Sequence, residues 1–327
     1  MTSAIRLPGL LQRRLSATVD SLLNSQPGGG IDFSCPRGAE ALLPANSVSW
    51  RVFKNPIALF VGGTAAVILE LAEPGVRAGV WEHSSFRKKP FARLQRTGLA
   101  AMITVYGARL AAESMIRRVV RMHATVRGTT PKGIHYSAND PHLLTWVHAT
   151  AAYGFAASYD RYVARLEEAE FGRLYCEGEP VARLYGADAP PRSRGEMQAL
   201  FEGMRNKLDP SPFVFDFLNT MRTTPALPSS LRWMQTILVR AAIDLIPAWI
   251  RARLGLGGAY GLRRHERWLV ELAGAAADRI VLPTSPAVQS CVRLGLPTTY
   301  LYSQTRYYAC AQRSRGLDAQ RSQGLDY

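Results

Sequence analysis

Cysteine is scarce in this sequence, and no two cysteines stand close together. The 327 residues contain only four, namely Cys35, Cys176, Cys291 and Cys310. The lack of a CxxC pair argues against a structural zinc site, and the wide spacing argues against a disulfide framework. Sparse cysteines without close partners are typical of proteins from a reducing compartment.

Long apolar runs are missing as well. The longest uncharged stretch near the start, residues 55–69, has 15 residues and contains Pro56, Gly62 and Gly63, whereas a membrane span needs about 20 apolar residues. The first 30 residues contain arginines but no continuous apolar segment, so they make a poor secretory signal. We therefore expect a soluble, cytoplasmic protein, and peripheral contact with a membrane surface stays open.

Acidic residues are too few to balance the basic ones. The chain has 40 Lys and Arg against 25 Asp and Glu, a formal net charge of +15, and almost all of the basic residues are arginines. The arginines are scattered along the chain in nothing longer than pairs, and no nucleic-acid motif is visible. This pattern favours a solvated basic surface, with contact to anionic lipid as the alternative, and we expect no nucleic-acid partner.

Strand signals are few, whereas apolar residues recur at helical spacing in long segments. The pattern predicts a mostly all-α fold. Proline in the first turn after Asn139-Asp140 predicts a helix start there, and Gly128 is predicted to end the preceding helix. The segment 174–184 is predicted to hold a short hairpin. Helices are predicted at 5–25, 56–72, 90–105, 108–127, 140–160, 161–171, 194–207, 211–222, 229–243, 247–254, 261–278 and 284–294.

We expect three regions along the chain. Residues 1–45 hold an N-terminal helix and a linker, 46–283 a central domain, and 284–327 a C-terminal extension. A tandem octapeptide, AQRSRGLD and AQRSQGLD, occupies 311–326 and has few apolar groups. We therefore predict that the tail from about residue 309 is disordered.

The common catalytic motifs are absent, since no HExxH, GxGxxG, Walker or GxSxG pattern occurs. Instead, polar residues interrupt apolar helical faces. Arg93, Arg96 and Thr97 share one face of a predicted helix because they are three and four residues apart. The helix continues as GLAAMITVYG, which predicts burial beyond its first turn. Two arginines entering a buried region need an anionic or polar partner, and a surface arginine cluster is the alternative.

Two histidines continue apolar stripes of predicted helices. His123 follows the stripe that contains Met115, Ile116 and Val119, and His148 shares a face with apolar residues, with Thr150 nearby. A neutral imidazole facing the core either binds a metal or hydrogen-bonds a carbonyl, and both readings stay open for each histidine. His135, His142 and His265 stand in polar or helix-end contexts and are predicted to be surface residues.

Several of these segments, in this order, resemble the family that includes the bacterial latex-clearing rubber oxygenases and the fungal mycophenolic-acid-pathway oxygenase. The resemblance covers roughly residues 48–280. It is carried by SWRVFKNPIALFVGGTAAVILELAEPGVRAGVWEHSSF, RLQRT, MHATVRG and YSANDPHLLTWVHAT, and more weakly by AAIDLIPAWIRARLGL.

The resemblance implies a globin-like helical core that holds one haem b, with additional C-terminal helices. The HxxVxG pattern places the axial iron ligand at His123. The Rxx[KR]T pattern places Arg93, Arg96 and Thr97 at the haem pocket, although the rubber enzymes carry lysine where this chain has Arg96. Many members have histidine where this chain has Glu73, so a catalytic carboxylate at Glu73 or Glu70 is a hypothesis. His148 and Thr150 are predicted to lie at the pocket.

The activity that the resemblance implies is oxygenation or oxidative cleavage of a C=C bond by O2. The expected substrate is an apolar molecule, isoprenoid or lipid, because the predicted pocket helices are apolar. Such an enzyme is an iron-containing dioxygenase or monooxygenase. The alternatives are a non-catalytic haem-binding sensor or carrier, and a helical lipid-binding protein without haem.

Overall fold

The computed structural model describes residues 31–86, 89–224, 227 and 231–303, together with positions 4, 5, 8, 9 and 12. The helix predicted at 5–25 lies largely outside the described residues, and the tail predicted to be disordered lies wholly outside them.

Within the described residues the chain forms fourteen α-helices and one two-stranded antiparallel sheet, which confirms the prediction of a mostly all-α fold. A 3-10 turn, Gly258–Tyr260, lies between two of the helices. The elements are α1 (Val48–Phe53), α2 (Pro56–Ala72), α3 (Pro74–His83), α4 (Pro90–Tyr106), α5 (Arg109–His123), β1 (Arg127–Thr129), β2 (His135–Ser137), α6 (Pro141–Tyr162), α7 (Glu168–Tyr185), α8 (Arg194–Gly203), α9 (Pro212–Thr223), α10 (Arg232–Leu245), α11 (Ala248–Arg253), α12 (Arg264–Ala277), α13 (Pro286–Arg293) and α14 (Tyr300–Ser303).

Proline opens many of these helices. Its ring fixes φ near the helical value, and the first turn needs no N–H there. A side-chain oxygen of the preceding residue often caps the helix by accepting hydrogen bonds from N–H groups of the first turn, as Asn55 does for α2 and Asp140 does for α6. The start predicted at Asp140-Pro141 is therefore confirmed. The helices that begin with proline are α2, α3, α4, α6, α9 and α13.

Helices α2 and α6 form the centre of the fold, and α2 also packs on α10 and α12. Their backbones touch at Gly62 and Gly154. A Cβ atom on Gly62 would lie 2.7 Å from the carbonyl oxygen of Gly154, and one on Gly154 would lie 2.4 Å from the oxygen of Gly62. Farther along, the indole Nε1 of Trp146 donates a hydrogen bond to the Leu69 carbonyl at 3.3 Å. These two contacts show that the helices run antiparallel.

Three local predictions were wrong. The helix predicted at 161–171 is not one helix, because α6 ends at Tyr162, residues 163–167 are not helical and α7 begins at Glu168. Residues 174–184 are not a hairpin but the second half of α7, which continues through Pro180. Helix α5 ends at His123 rather than near residue 127, and Gly128 lies in β1 instead of ending the helix. Glycine is needed there because a Cβ atom would lie 2.7 Å from the hydroxyl of Tyr136, its partner across the hairpin.

Among the described residues, no single helix is long and apolar enough to cross a membrane. The pair α2 and α3 meets the length and composition criteria only when the two helices are counted together, and they are bent by 104° at their junction.

We expect Gly62→Ala to destabilise the fold by about 3 kcal/mol, because the added methyl group meets backbone atoms of α6 that have no room to move. Equilibrium denaturation followed by circular dichroism measures the free energy of unfolding.

Gly63→Ala is the matched control on the same helix. Its added Cβ atom would lie 3.7 Å from the Phe155 ring, an ordinary contact, and alanine raises helix propensity by about 1 kcal/mol. This variant should be as stable as the parent or more so. Equal losses in both variants would contradict the close-contact argument.

Candidate active site

Four polar side chains from four helices interact in the interior. Glu70 stands in the last turn of α2, Arg93 in the first turn of α4, His123 at the end of α5 and Thr150 in the middle of α6. The positive charge of Arg93 acts on both acid-base groups, favouring the ionised carboxylate of Glu70 and disfavouring protonation of His123. Thr150 lies beside the Glu70 carboxyl group, and its hydroxyl donates to the Val147 carbonyl at 2.9 Å. We call these four residues the polar cluster.

Glu70 is the carboxylate of the cluster. Burial raises its pKa to about 7, although Arg93 and Thr150 act in the opposite direction. Desolvation therefore outweighs the attraction of the nearby cation, since an ionised carboxylate loses its hydration when it is buried. At neutral pH the carboxyl group is consequently close to half protonated, so it can accept or donate a proton.

Arg93 links the two acid-base groups of the cluster. Burial lowers its pKa, and the negative charge of Glu70 opposes this shift. Its guanidinium also donates to the Thr97 hydroxyl, which in turn donates to the Arg93 carbonyl at 3.0 Å. Arg96 and Thr97 are exposed, and Arg96 donates to the hydroxyl of Ser85. Of the three residues predicted to share a face, only Arg93 reaches the interior.

His123 closes α5 with a half-buried imidazole. Its Nδ1 atom is buried and has no hydrogen-bond partner. Burial lowers the pKa of this histidine, and the charge of Arg93 lowers it further, so the ring is neutral at physiological pH. The residues that follow hold the end of the helix in place. The Asn139 amide donates to the Val120 carbonyl at 3.0 Å, and the Val126 N–H donates to the His123 carbonyl at 2.9 Å.

His148 faces away from the polar cluster. It stands two residues before Thr150, so the two side chains leave α6 about 200° apart. The imidazole lies against Gly178 of α7, where an added Cβ atom would come within 3.3 Å of Nε2. Nε2 is buried without a partner, and burial lowers the pKa of His148 to about 4. His148 is thus a second neutral imidazole, on the side of α6 that packs against α7.

Glu73 is placed differently from Glu70. Its Oε2 atom accepts a hydrogen bond from the Val76 N–H at 2.6 Å and caps α3. The sequence offered both carboxylates as hypotheses and Glu73 as the site residue, whereas the structure brings Glu70 into the cluster. The signal for Glu70 was present in the sequence, because it is the one charged residue of α2.

The remaining histidines singled out in the sequence lie at the surface. His135, His142 and His265 are exposed, as predicted. Among the described residues, no group of three or more His, Cys, Asp and Glu side chains is arranged to hold a metal ion.

The fold and the polar cluster define a helical protein with an interior site built from an acid, a base and a cation. The family described as ER-bound oxygenase mpaB/B'/Rubber oxygenase, catalytic domain, matches residues 50–278. The chain belongs to this family, which confirms the resemblance noted in the sequence, and it carries an oxygenase catalytic domain. Comparisons with curated proteins and with solved structures each give no match. All four cluster residues lie within the matched region.

We expect Glu70→Gln to change how stability depends on pH. The pKa of Glu70 rises from 4.5 to about 7 on folding, so the folded protein binds more protons than the unfolded chain in this window. Ionisation of Glu70 therefore destabilises the fold as the pH rises through this window. The Glu70→Gln variant lacks this penalty. The difference between its free energy of unfolding and that of the parent should therefore increase by up to about 3 kcal/mol from pH 4.5 to pH 8. Urea denaturation at both pH values measures this change.

Glu202→Gln serves as the control, since Glu202 forms a surface ion pair with Arg205 at 2.7 Å. Its stability relative to the parent should shift by no more than about 0.5 kcal/mol over the same range. A Glu70 variant that behaves like the Glu202 variant would show that Glu70 ionises normally.

Proposed function

We propose that this chain is a haem-b-dependent oxygenase that uses O2 to cleave or oxygenate a C=C bond of an apolar substrate, an isoprenoid or another lipid. His123 is the proposed axial iron ligand. The observation that carries the proposal is the neutral imidazole of His123, with a buried nitrogen that has no partner, beside Arg93 and Glu70 in a chain of the oxygenase family.

The residues of the cluster fit a haem group. Iron binds the neutral form of imidazole, and both burial and Arg93 hold His123 in that form. A buried ring nitrogen without a protein partner is what a ligand atom, or the opposite nitrogen of a ligating ring, presents before the group binds. Arginines pair with carboxylates through two parallel hydrogen bonds, so Arg93 and Arg96 are the proposed partners of the haem propionates. Thr97, Thr150 and His148 are proposed to support the pocket.

When bound, haem b supplies the iron that binds and activates O2. Cleavage of a C=C bond by O2 places one oxygen atom on each new carbonyl group, so the atoms balance without an external reductant. Glu70 is proposed to hold or take up a proton at its carboxyl oxygen, which its pKa of about 7 allows at neutral pH. Arg93 sets the charge around it.

The visible spectrum of the protein expressed with haem supplementation tests this proposal. We expect the parent to show a Soret band and His123→Ala to lose or shift it, because the iron loses its protein ligand. His142→Ala is the matched control, since the His142 side chain is 85% exposed and lies beside Asp188 at 3.5 Å. Its spectrum should equal that of the parent.

Each other outcome has a distinct meaning. A colourless parent prepared with adequate haem would overturn haem dependence while leaving the oxygenase family unchanged. A parent band that persists in His123→Ala would place the ligand elsewhere, with His148 as the next candidate. A band without substrate-dependent O2 consumption across unsaturated lipids would favour a haem sensor or carrier.

A further inference from the structure

A cavity lies at the opposite end of the α4–α5 pair from the polar cluster. It has a volume of about 260 Å³ and lies between residues 31–36, the end of α4 and the first half of α5. Arg93 and His123 stand at the other ends of the same two helices. Most of the wall is apolar, and its larger apolar side chains are Ile31, Phe33, Ile103 and Met115.

Arg293 forms part of the wall and is 1% exposed. Its guanidinium donates to the carbonyls of Ala39 at 2.8 Å, Phe33 at 2.8 Å and Tyr106 at 2.7 Å, and to the hydroxyl of Ser290 at 3.4 Å. A guanidinium has five N–H groups. The four hydrogen bonds therefore leave one N–H of Nη2 without an acceptor among the described residues.

The positive charge of Arg293 also lacks an anionic partner among the described residues. All four acceptors are neutral, and the nearby Cys291 thiol stays protonated because burial raises its pKa to about 12. Asp32 lies in the cavity wall and is ionised, since the hydrogen bonds from Ser34 lower its pKa, but its Oδ1 atom accepts from the N–H and hydroxyl of Ser34 at 2.8 and 2.6 Å and not from Arg293. A buried charge without a counter-charge is strongly unfavourable, so an anion that reaches this wall would be held firmly.

We propose that this cavity binds a small carboxylate with an apolar body, distinct from the oxygenase substrate. The carboxylate pairs with the free N–H of Arg293 and with Arg118, which also lines the cavity. The apolar body lies against Phe33, Ile103 and Met115. The volume of about 260 Å³ lies just below the range of about 300–1,000 Å³ for pockets that hold drug-sized ligands, so it suits a smaller molecule.

Binding of octanoate, measured by isothermal titration calorimetry, tests the charge requirement. We expect octanoate to bind at least ten-fold more tightly than octanamide, which has the same chain without the charge. Arg118→Gln should weaken octanoate binding several-fold. Arg117→Gln is the matched control, because the side chain of Arg117 is 61% exposed and pairs with Glu113 on the surface. Equal affinity for octanoate and octanamide would overturn the proposal.

Cysteine alkylation locates the ligand. Cys35 is exposed and lines the cavity, whereas Cys176 is also exposed but lies on α7, away from the cavity. Octanoate should slow the reaction of Cys35 with iodoacetamide several-fold, as measured by mass spectrometry, and leave the rate at Cys176 unchanged. Unchanged rates at both cysteines would place the ligand elsewhere and overturn the proposal.

Two further variants separate this site from the polar cluster. His123→Ala should bind octanoate as the parent does, and loss of binding there would assign the ligand to the oxygenase site instead. Arg293→Met should abolish the preference for the carboxylate. Because Arg293 also joins three chain segments, that variant can fail to fold, and Arg118→Gln and the Cys35 measurement then decide the question.

Discussion

The antiparallel contact between α2 and α6 is the constraint on which the interior site depends. Glycine at both Gly62 and Gly154 lets the two backbones touch, and the hydrogen bond from Trp146 to Leu69 extends the same register toward the end of α2. With this register, the positions of Glu70 on α2 and Thr150 on α6 differ by about one helical turn along the helix axes. A larger residue at Gly62 or Gly154 would push the two helices apart. The Glu70 carboxylate and the Thr150 hydroxyl would then move apart as well.

The electrostatics of the cluster follow from burial more than from pairing. Arg93 stabilises the ionised form of Glu70, yet the pKa of Glu70 still rises to about 7. The same cation and the same burial both disfavour protonation of His123. Burial thus keeps the His123 imidazole neutral, with the help of Arg93, and holds the Glu70 carboxyl group near its midpoint at physiological pH, against the effect of Arg93. Ligand binding and proton transfer require this combination.

Helix positions were largely predictable from the sequence because proline, asparagine and aspartate mark helix starts. The helix predicted at 56–72 has those bounds in the structure. The second half of α7 was missed because Pro180 and several charged residues resemble a turn. The Glu177 carboxylate in this segment instead accepts hydrogen bonds from the Val48 and Ser49 N–H groups at the start of α1, both at 3.1 Å. That tertiary contact has no local signature.

The candidate active site was predictable only in part, because helical spacing shows which residues share a face but not which side chains turn inward. Helical spacing placed Arg93, Arg96 and Thr97 on one face, but it could not show that only Arg93 turns inward while Arg96 reaches Ser85. Helical spacing likewise identified His148 as inward-facing without showing that it faces α7 rather than the cluster. The choice between Glu70 and Glu73 also required the structure, since the capping role of Glu73 depends on the bend between α2 and α3.

Segments outside the matched catalytic region also support the site. Arg93 opens α4 and His123 closes α5, so the turn that joins these helices governs where both side chains lie. That turn is held by the Arg109 N–H, which donates to the Glu40 carbonyl at 2.8 Å, and by Arg293 at the Tyr106 carbonyl. Glu40 and Arg293 lie on either side of the matched residues 50–278. A contact that shifts Arg293 therefore acts on the turn between the two helices that carry Arg93 and His123.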